Sequence, residues 1–349
     1  MVSARILVSD PLAEEGLAIL RREFTVDVKT DLKEDQLVAI IGDYDALLVR
    51  SGTEVTARVI EAAGKLRFIG RAGAGVDNIN MEAATRRGII VANAPEGNTL
   101  AATEHTMAMM LSLARSIPQA NASLKRKEWK RSKFMGVELN EKTLGIVGLG
   151  RIGREVSKRA SAMGMHIVGY DPFISKDRAA QMGVEALSLE ELFRVSDVIT
   201  VHTPLIKETK HIINAQTIAT MKDGVRIINC ARGGIIDEKA LCDGIKSGKV
   251  AGAALDVFEE EPPLTSPLLD LDQVITTPHL GASTVEAQQN VAVSIAKQCI
   301  SVLKGGSAKY IVNAPIVPAE YADTIEPFAF LAEKMARFLI QLMGGRVEK

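Results

Sequence analysis

The chain has 349 residues, 47% of them hydrophobic but only 4% aromatic, and a formal net charge of −1. That length supports two cores of ordinary domain size, and the balanced charge gives no general pull toward nucleic acid or anionic lipid. Cys230, Cys242 and Cys299 are too few and too scattered for a disulfide frame or a metal site, so they read as reduced thiols of a cytoplasmic protein.

The chain opens without a signal-peptide pattern. Residues 4–9 read as a strand, followed by a helix near 12–22, a strand at 24–29 and a helix near 34–42. A buried strand at 46–49, a helix at 55–63 and strands at 67–70 and 88–91 complete a first α/β lobe. Residues 98–115, rich in Ala, Met and Leu, form one long helix able to link two lobes. Further strands are expected at 143–147, 165–170, 197–201, 225–229, 251–255 and 274–276, giving a six-stranded doubly wound sheet. The helix from Ser283 onward is expected to return to the first lobe. The fold class is therefore α/β, with two Rossmann-like or flavodoxin-like lobes and an interlobe cleft for ligand. The expected domains are 1–97 with 283–312, then 98–282, then a helical tail over 313–349.

That tail carries Phe328, Leu331, Met335, Phe338, Leu339 and Leu342 on one helical stripe. The stripe needs a cover, which could be a further domain, another subunit or its own lobe. Glu333, Lys334 and Arg337 argue against membrane insertion, and no apolar run approaches the roughly 20 residues of a bilayer span.

The strand at 143–147 runs into Gly148-Leu149-Gly150-Arg151-Ile152-Gly153, and the next strand ends on Asp171. Strand, glycine turn, helix, strand and acid form the dinucleotide fingerprint in its full context. Gly148 permits the turn, Gly150 lets backbone approach a pyrophosphate, and Gly153 lets the helix pack on the strand. The helix N-terminus favours the anion. Asp171 suits a ribose diol and would repel a 2′-phosphate, and Pro172-Phe173 offer no arginine, so the cofactor is read as NAD.

Three later segments fall at strand ends or in loops: Ile228-Asn229-Cys230-Ala231-Arg232-Gly233-Gly234, Ala254-Leu255-Asp256-Val257-Phe258-Glu259-Glu260-Glu261-Pro262-Pro263, and Thr277-Pro278-His279-Leu280-Gly281-Ala282-Ser283. Arg232 can aim its fork at a carboxylate and a carbonyl. Hydride transfer from an alcohol needs a base, and histidine suits that work near neutral pH. Of the five histidines, His105 lies within the long helix, His166 begins a strand, and His211 sits in a polar stretch. His279 is favoured by the small residues after it, and His202, ending a strand, is its rival.

Taken in order, these motifs resemble those of the D-isomer-specific 2-hydroxyacid dehydrogenases across roughly residues 1–312. The resemblance implies an NAD-dependent oxidoreductase in which Arg232 binds the substrate carboxylate and C2 oxygen. It implies that His279 is the acid/base and that Glu261, directly before the proline, pairs with it. It places Arg151 and Ile152 at the pyrophosphate, Asp171 at the ribose and Thr203 after the His202 strand. Cys230, Ala231, Arg232, Asp256, His279, Gly281 and Ala282 are implied near the nicotinamide. Where many relatives carry Thr, this chain has Ala74, so a hydroxyl contact there is lost.

Within the family the similarity is to the branch that oxidises 3-phospho-D-glycerate to 3-phosphohydroxypyruvate, the first step of serine biosynthesis. Arg50, Arg71, Gly73, Asn98 and Arg131 are implied on the phosphorylated substrate, Arg131 from the basic segment 129–136 of this or a neighbouring subunit. A homodimer or homotetramer is implied, and the tail resembles the start of an extra domain in longer members. The alternatives are a glyoxylate or hydroxypyruvate reductase and, from a different class, an NAD-sensing corepressor or scaffold.

Overall fold

The computed structural model describes residues 4–314 and 319–343. Two compact units divide the chain. One holds Gly16–Asn93 with the described residues at the start and from Ile295 on, and the other is essentially Ala94–Ser294.

The first unit is a five-stranded sheet of β1 (Arg5–Val8), β2 (Thr25–Val28), β3 (Ala46–Val49), β4 (Phe68–Arg71) and β5 (Ile90–Asn93). Its order is β2-β1-β3-β4-β5 and every pair is parallel, the flavodoxin-like winding. β3, read Ala-Leu-Leu-Val, is buried at every position, as a central parallel strand with helices on both faces must be. Leu7, Leu47, Ile69 and Val91 meet Leu37, Val59 and Ile60 in its core. The chain returns to this unit late. Ile311 bridges Ala92, and Asn313 accepts from the Val91 N–H at 2.9 Å and donates to the Ile89 carbonyl at 2.8 Å.

Two local expectations shift. Val55 is not helical: it bridges Ile79, and the helix is Ala57–Ala62, because the Thr56 hydroxyl caps it by accepting the Val59 N–H. The helix expected over 34–42 is α-helical over Glu34–Ile40 and tightens to a 3₁₀ turn over Ile41–Asp43.

The second unit has seven strands: β6 (Thr143–Val147), β7 (His166–Tyr170), β8 (Glu185–Ala186), β9 (Val198–Val201), β10 (Val225–Asn229), β11 (Val250–Leu255) and β12 (Val274–Thr276). They lie in the order β12-β11-β10-β9-β6-β7-β8, all parallel. The expected six become seven because β8 adds a two-residue edge beside β7. The winding reverses between β6 and β9, the switch point at which open α/β sheets bind ligands beyond their carboxyl ends. The long helix runs over Thr99–Arg115, ends at Ser116 in a left-handed conformation, and is followed by a second helix over Ile117–Lys125.

The tail forms a helix over Ala319–Met343. Phe328, Leu331, Met335, Phe338, Leu339 and Leu342 are all at least half exposed, so none of the described residues covers the stripe. Among the described residues no helix is long and apolar enough to cross a membrane.

Candidate active site

Parallel strands deliver their following residues to one edge. At the carboxyl edge of the second unit lie the glycine turn after β6, Asp171 after β7, His202 and Thr203 after β9, Cys230 to Arg232 after β10, Asp256 after β11 and Thr277 to His279 after β12.

The glycine turn is built around close approach. Gly148 has φ +96°, and a Cβ there would stand 2.7 Å from the His202 carbonyl oxygen. A Cβ on Gly153 would stand 2.0 Å from the Gly148 carbonyl oxygen, so helix and strand meet only because position 153 has no side chain. Gly150 differs, because a Cβ there would meet nothing within 4 Å. Gly150 caps the helix Arg151–Ala162 without any side-chain hydrogen bond, so no capping side chain stands in front of its first turn. Asp171 is tied to the turn: Oδ2 accepts the Leu149 N–H and Oδ1 the Phe173 N–H, both at 2.9 Å. Beside the turn, the buried Thr203 hydroxyl has no hydrogen-bond partner. An uncapped helix N-terminus, free space at Gly150 and a waiting hydroxyl fit a dinucleotide pyrophosphate.

The structure separates the two rival histidines. His202 is partly buried, its Nε2 lies 3.0 Å from the Thr200 hydroxyl, and desolvation pushes its pKa down to about 4. That favours a neutral imidazole just beyond the end of β9. His279 is half exposed, and its Nδ1 lies 2.9 Å from Glu261 Oε2. Burial works against the Glu261 carboxylate. Even so, the His279 hydrogen bond, that ring's charge and the Phe258 N–H hold its pKa below the usual carboxylate value. That N–H donates to Glu261 Oε1 at 3.2 Å.

Glycine also draws the neighbouring loops together. A Cβ on Gly233 would lie 1.7 Å from the Phe258 carbonyl oxygen, so the Arg232 loop rests directly on the loop leading to Glu261. The Asn229 side chain shapes the Arg232 loop, donating to the Arg232 carbonyl at 2.8 Å and accepting the Ala231 N–H at 3.0 Å. Gly281 approaches the Cys230 carbonyl. Cys230 is a buried thiol pushed up to about 12, by desolvation first and by the Asp256 charge second.

Asp256 is completely buried, and its oxygens are claimed by the protein. Oδ1 accepts from the Thr277 hydroxyl at 2.6 Å and the Leu280 N–H at 2.7 Å, and Oδ2 accepts the Gly281 N–H at 2.8 Å. His105 Nε2 stands 3.2 Å from Oδ1. The sequence alone sets His105 aside as a helix residue and names Thr277 only as the start of the His279 segment, with no role of its own. Their partners lie 151 and 21 residues away, so no local pattern signals them.

The remaining site residues are more dispersed. Asn98 stands at the N-terminus of the long helix, and its buried Oδ1 has no hydrogen-bond partner. Ala282 follows Gly281, and its carbonyl accepts from Gln288 at 3.2 Å. Arg131 is exposed in a 3₁₀ turn, where Lys130 and Lys133 pair with Glu128 and Asp272. In the first unit, Arg50 follows β3, half-buried, with burial lowering its pKa against the pull of Asp10. Arg71 ends β4 and folds its guanidinium over Gly73, where a Cβ would come within 1.6 Å of Nη1. The Ala74 carbonyl accepts from Asn93, so that loop still offers ordered backbone.

A sequence model of the D-isomer specific 2-hydroxyacid dehydrogenase NAD binding domain matches residues 107–281. A D-3-phosphoglycerate dehydrogenase of Methanocaldococcus jannaschii is 53% identical over 99% of this chain and 66% of its own length. Among solved structures, TT0316 from Thermus thermophilus superposes with a TM-score of 0.82 at 33% identity, covering 88% of this chain and 99% of that one. A D-lactate dehydrogenase of Aquifex aeolicus, solved with NAD and lactic acid, gives 0.80 at 29% identity, covering 89% and 100%. The chain spans 62–66% of the length of the first curated relatives it matches.

Proposed function

The chain belongs to the D-isomer-specific 2-hydroxyacid dehydrogenases and carries their NAD-binding domain, and from that premise we propose that it oxidises 3-phospho-D-glycerate to 3-phosphohydroxypyruvate. The observation that carries the reading is the His279–Glu261 pair at 2.9 Å on the cofactor edge. The substrate follows the activity printed for the relatives near 50% identity.

Bound NAD supplies the hydride acceptor. Its pyrophosphate would rest on the N–H groups at Arg151 and Ile152, and Asp171 would take the ribose hydroxyls. Glu261 commits Nδ1 of His279, which leaves Nε2 to take the C2 hydroxyl proton as the hydride departs. A carboxylate so placed stabilises the imidazolium that results. Arg232 would hold the C1 carboxylate and C2 oxygen in a bidentate grip. The orphaned Asn98 Oδ1 is a further acceptor for the substrate. Arg50, Arg71 and Arg131 are assigned to the phosphate, which needs more cationic charge than a bare hydroxyacid. The same reading takes the chain as at least a dimer. Leu111, Ile117, Leu124 and Met135 support it, all exposed in and just beyond the long helix.

The test measures NADH formation from 3-phosphoglycerate, D-glycerate and D-2-hydroxyglutarate, with His279→Ala in parallel. We expect strong preference for the phosphorylated acid and a loss in kcat on the order of 10²–10⁴ in the variant. Near-full turnover by His279→Ala would remove the mechanism. Equal use of D-glycerate would remove the phosphate assignment and leave a general 2-hydroxyacid dehydrogenase.

A further inference from the structure

His279 adopts a left-handed backbone, φ +54°, which a side-chain-bearing residue visits only when its surroundings impose it. What imposes it here is Asp256. The His279 N–H donates to the Asp256 backbone carbonyl at 2.9 Å, the Leu280 N–H to Oδ1 at 2.7 Å, and the Gly281 N–H to Oδ2 at 2.8 Å. Three successive amides of the loop are thus held by one residue of β11's end. A Cβ on Gly281 would stand 3.2 Å from Oδ2, so the small residue there is part of the fit.

The carboxylate is itself gripped from the other side. Thr277 donates its only hydroxyl proton to Oδ1 at 2.6 Å. His105 Nε2 lies 3.0 Å from that hydroxyl and 3.2 Å from Oδ1. The hydroxyl has no second proton to give and an ionised carboxylate has none, so Nε2 must carry the proton and share it between them. This fixes the His105 tautomer by elimination. It also ties the helix Thr99–Arg115 to the loop that carries His279.

We propose that His105 is a positioning residue for the reaction: its Nε2–H holds Asp256 and Thr277 in the arrangement that sets His279 against Glu261. The inference rests on the reading of His279 as acid/base. His105 touches neither reacting atom and acts only through the clamp. Its loss should therefore lower turnover while leaving the dinucleotide cradle at Gly148–Gly153 intact.

The experiment uses the full chain and measures kcat with 3-phosphoglycerate, the NADH dissociation constant by fluorescence, and thermal stability. It compares His105→Leu, His105→Gln, Thr277→Val and His279→Ala. In His105→Leu we expect kcat to fall roughly ten- to a hundredfold, the scale of a small misplacement of a catalytic group, with NADH affinity within about twofold. Glutamine keeps an N–H donor at similar reach, so His105→Gln should recover most of the loss. His105→Leu and Thr277→Val should be non-additive when combined, because both act on one carboxylate. Unchanged kcat in His105→Leu overturns the proposal. So does a matching loss of NADH affinity, which would assign the cluster to the cofactor, and so does glutamine performing no better than leucine. If His105→Leu fails to fold, Thr277→Val decides alone: a lowered kcat with normal NADH affinity supports the proposal, and an unchanged kcat overturns it. Near-full turnover by His279→Ala would instead sink the acid/base reading itself, whatever the His105 variants do.

Discussion

The individual side chains of the site differ most in how far each is withdrawn from water, and that decides their behaviour with pH. Asp256 is buried, which alone would raise its pKa, but the hydrogen bonds from His105, Thr277 and the Leu280 N–H outweigh burial and hold it below the usual value. Its stabilisation is therefore present above the unfolded pKa of about 3.9 and is lost as pH falls through the lower folded value. Asp256→Asn should cost about 2–3 kcal/mol near neutrality by leaving buried donors without an acceptor. The stability gap between wild type and variant, followed by urea unfolding across pH, should narrow below about pH 4. A gap independent of pH would show that the carboxylate charge contributes nothing. At this scale the sequence was legible where one residue type sat beside a telling neighbour, as His279 does beside Gly281-Ala282. The choice between His202 and His279 rested on burial, which only the assembled sheet supplies. His105 was illegible because its partners come from distant strand ends.

The glycine turn and its helix show how one motif divides labour among three glycines. Gly153→Ala forces a Cβ against the Gly148 carbonyl and should destabilise the second unit by about 1–3 kcal/mol, as overpacking does. Gly150→Ala meets no protein atom, so its melting temperature should stay near wild type. Its NADH affinity should nonetheless drop at least about tenfold, roughly 1.4 kcal/mol, because the methyl group enters the space assigned to the pyrophosphate. Calorimetry with and without NADH separates the two effects, and a Gly150→Ala variant with normal NADH affinity would displace the cofactor from this turn. The elements themselves were largely readable from alternating apolar runs and helical periods. The exceptions have physical causes. β8 is two residues long and carries no period, and Val55 and Thr56 belong to a bridge and a cap, both fixed by contacts outside the segment.

For the whole molecule, the glycine turn, Asp171, Arg232, Glu261 and His279 all fall within one compact unit, Ala94–Ser294. NADH at a hundred times its dissociation constant should therefore stabilise that unit by about 2.7 kcal/mol. A melting transition that fails to move with NADH would contradict the cofactor assignment. The other unit has a different dependence. Its strand β5 is completed by a segment more than two hundred residues further on: Asn313 bonds the Val91 N–H, Gln298 donates to the Asn93 carbonyl, and Lys304 pairs with Glu23. Synthesis runs from the amino end, and domains generally fold as they emerge. Here the lobe whose strands emerge first cannot close until residue 313 has left the ribosome, whereas the lobe encoded inside it has all its strands some forty residues sooner. A segment translated after the whole cofactor lobe thus finishes the first domain to begin, and a nascent chain stalled between these points would hold a folded cofactor lobe beside an unfinished neighbour.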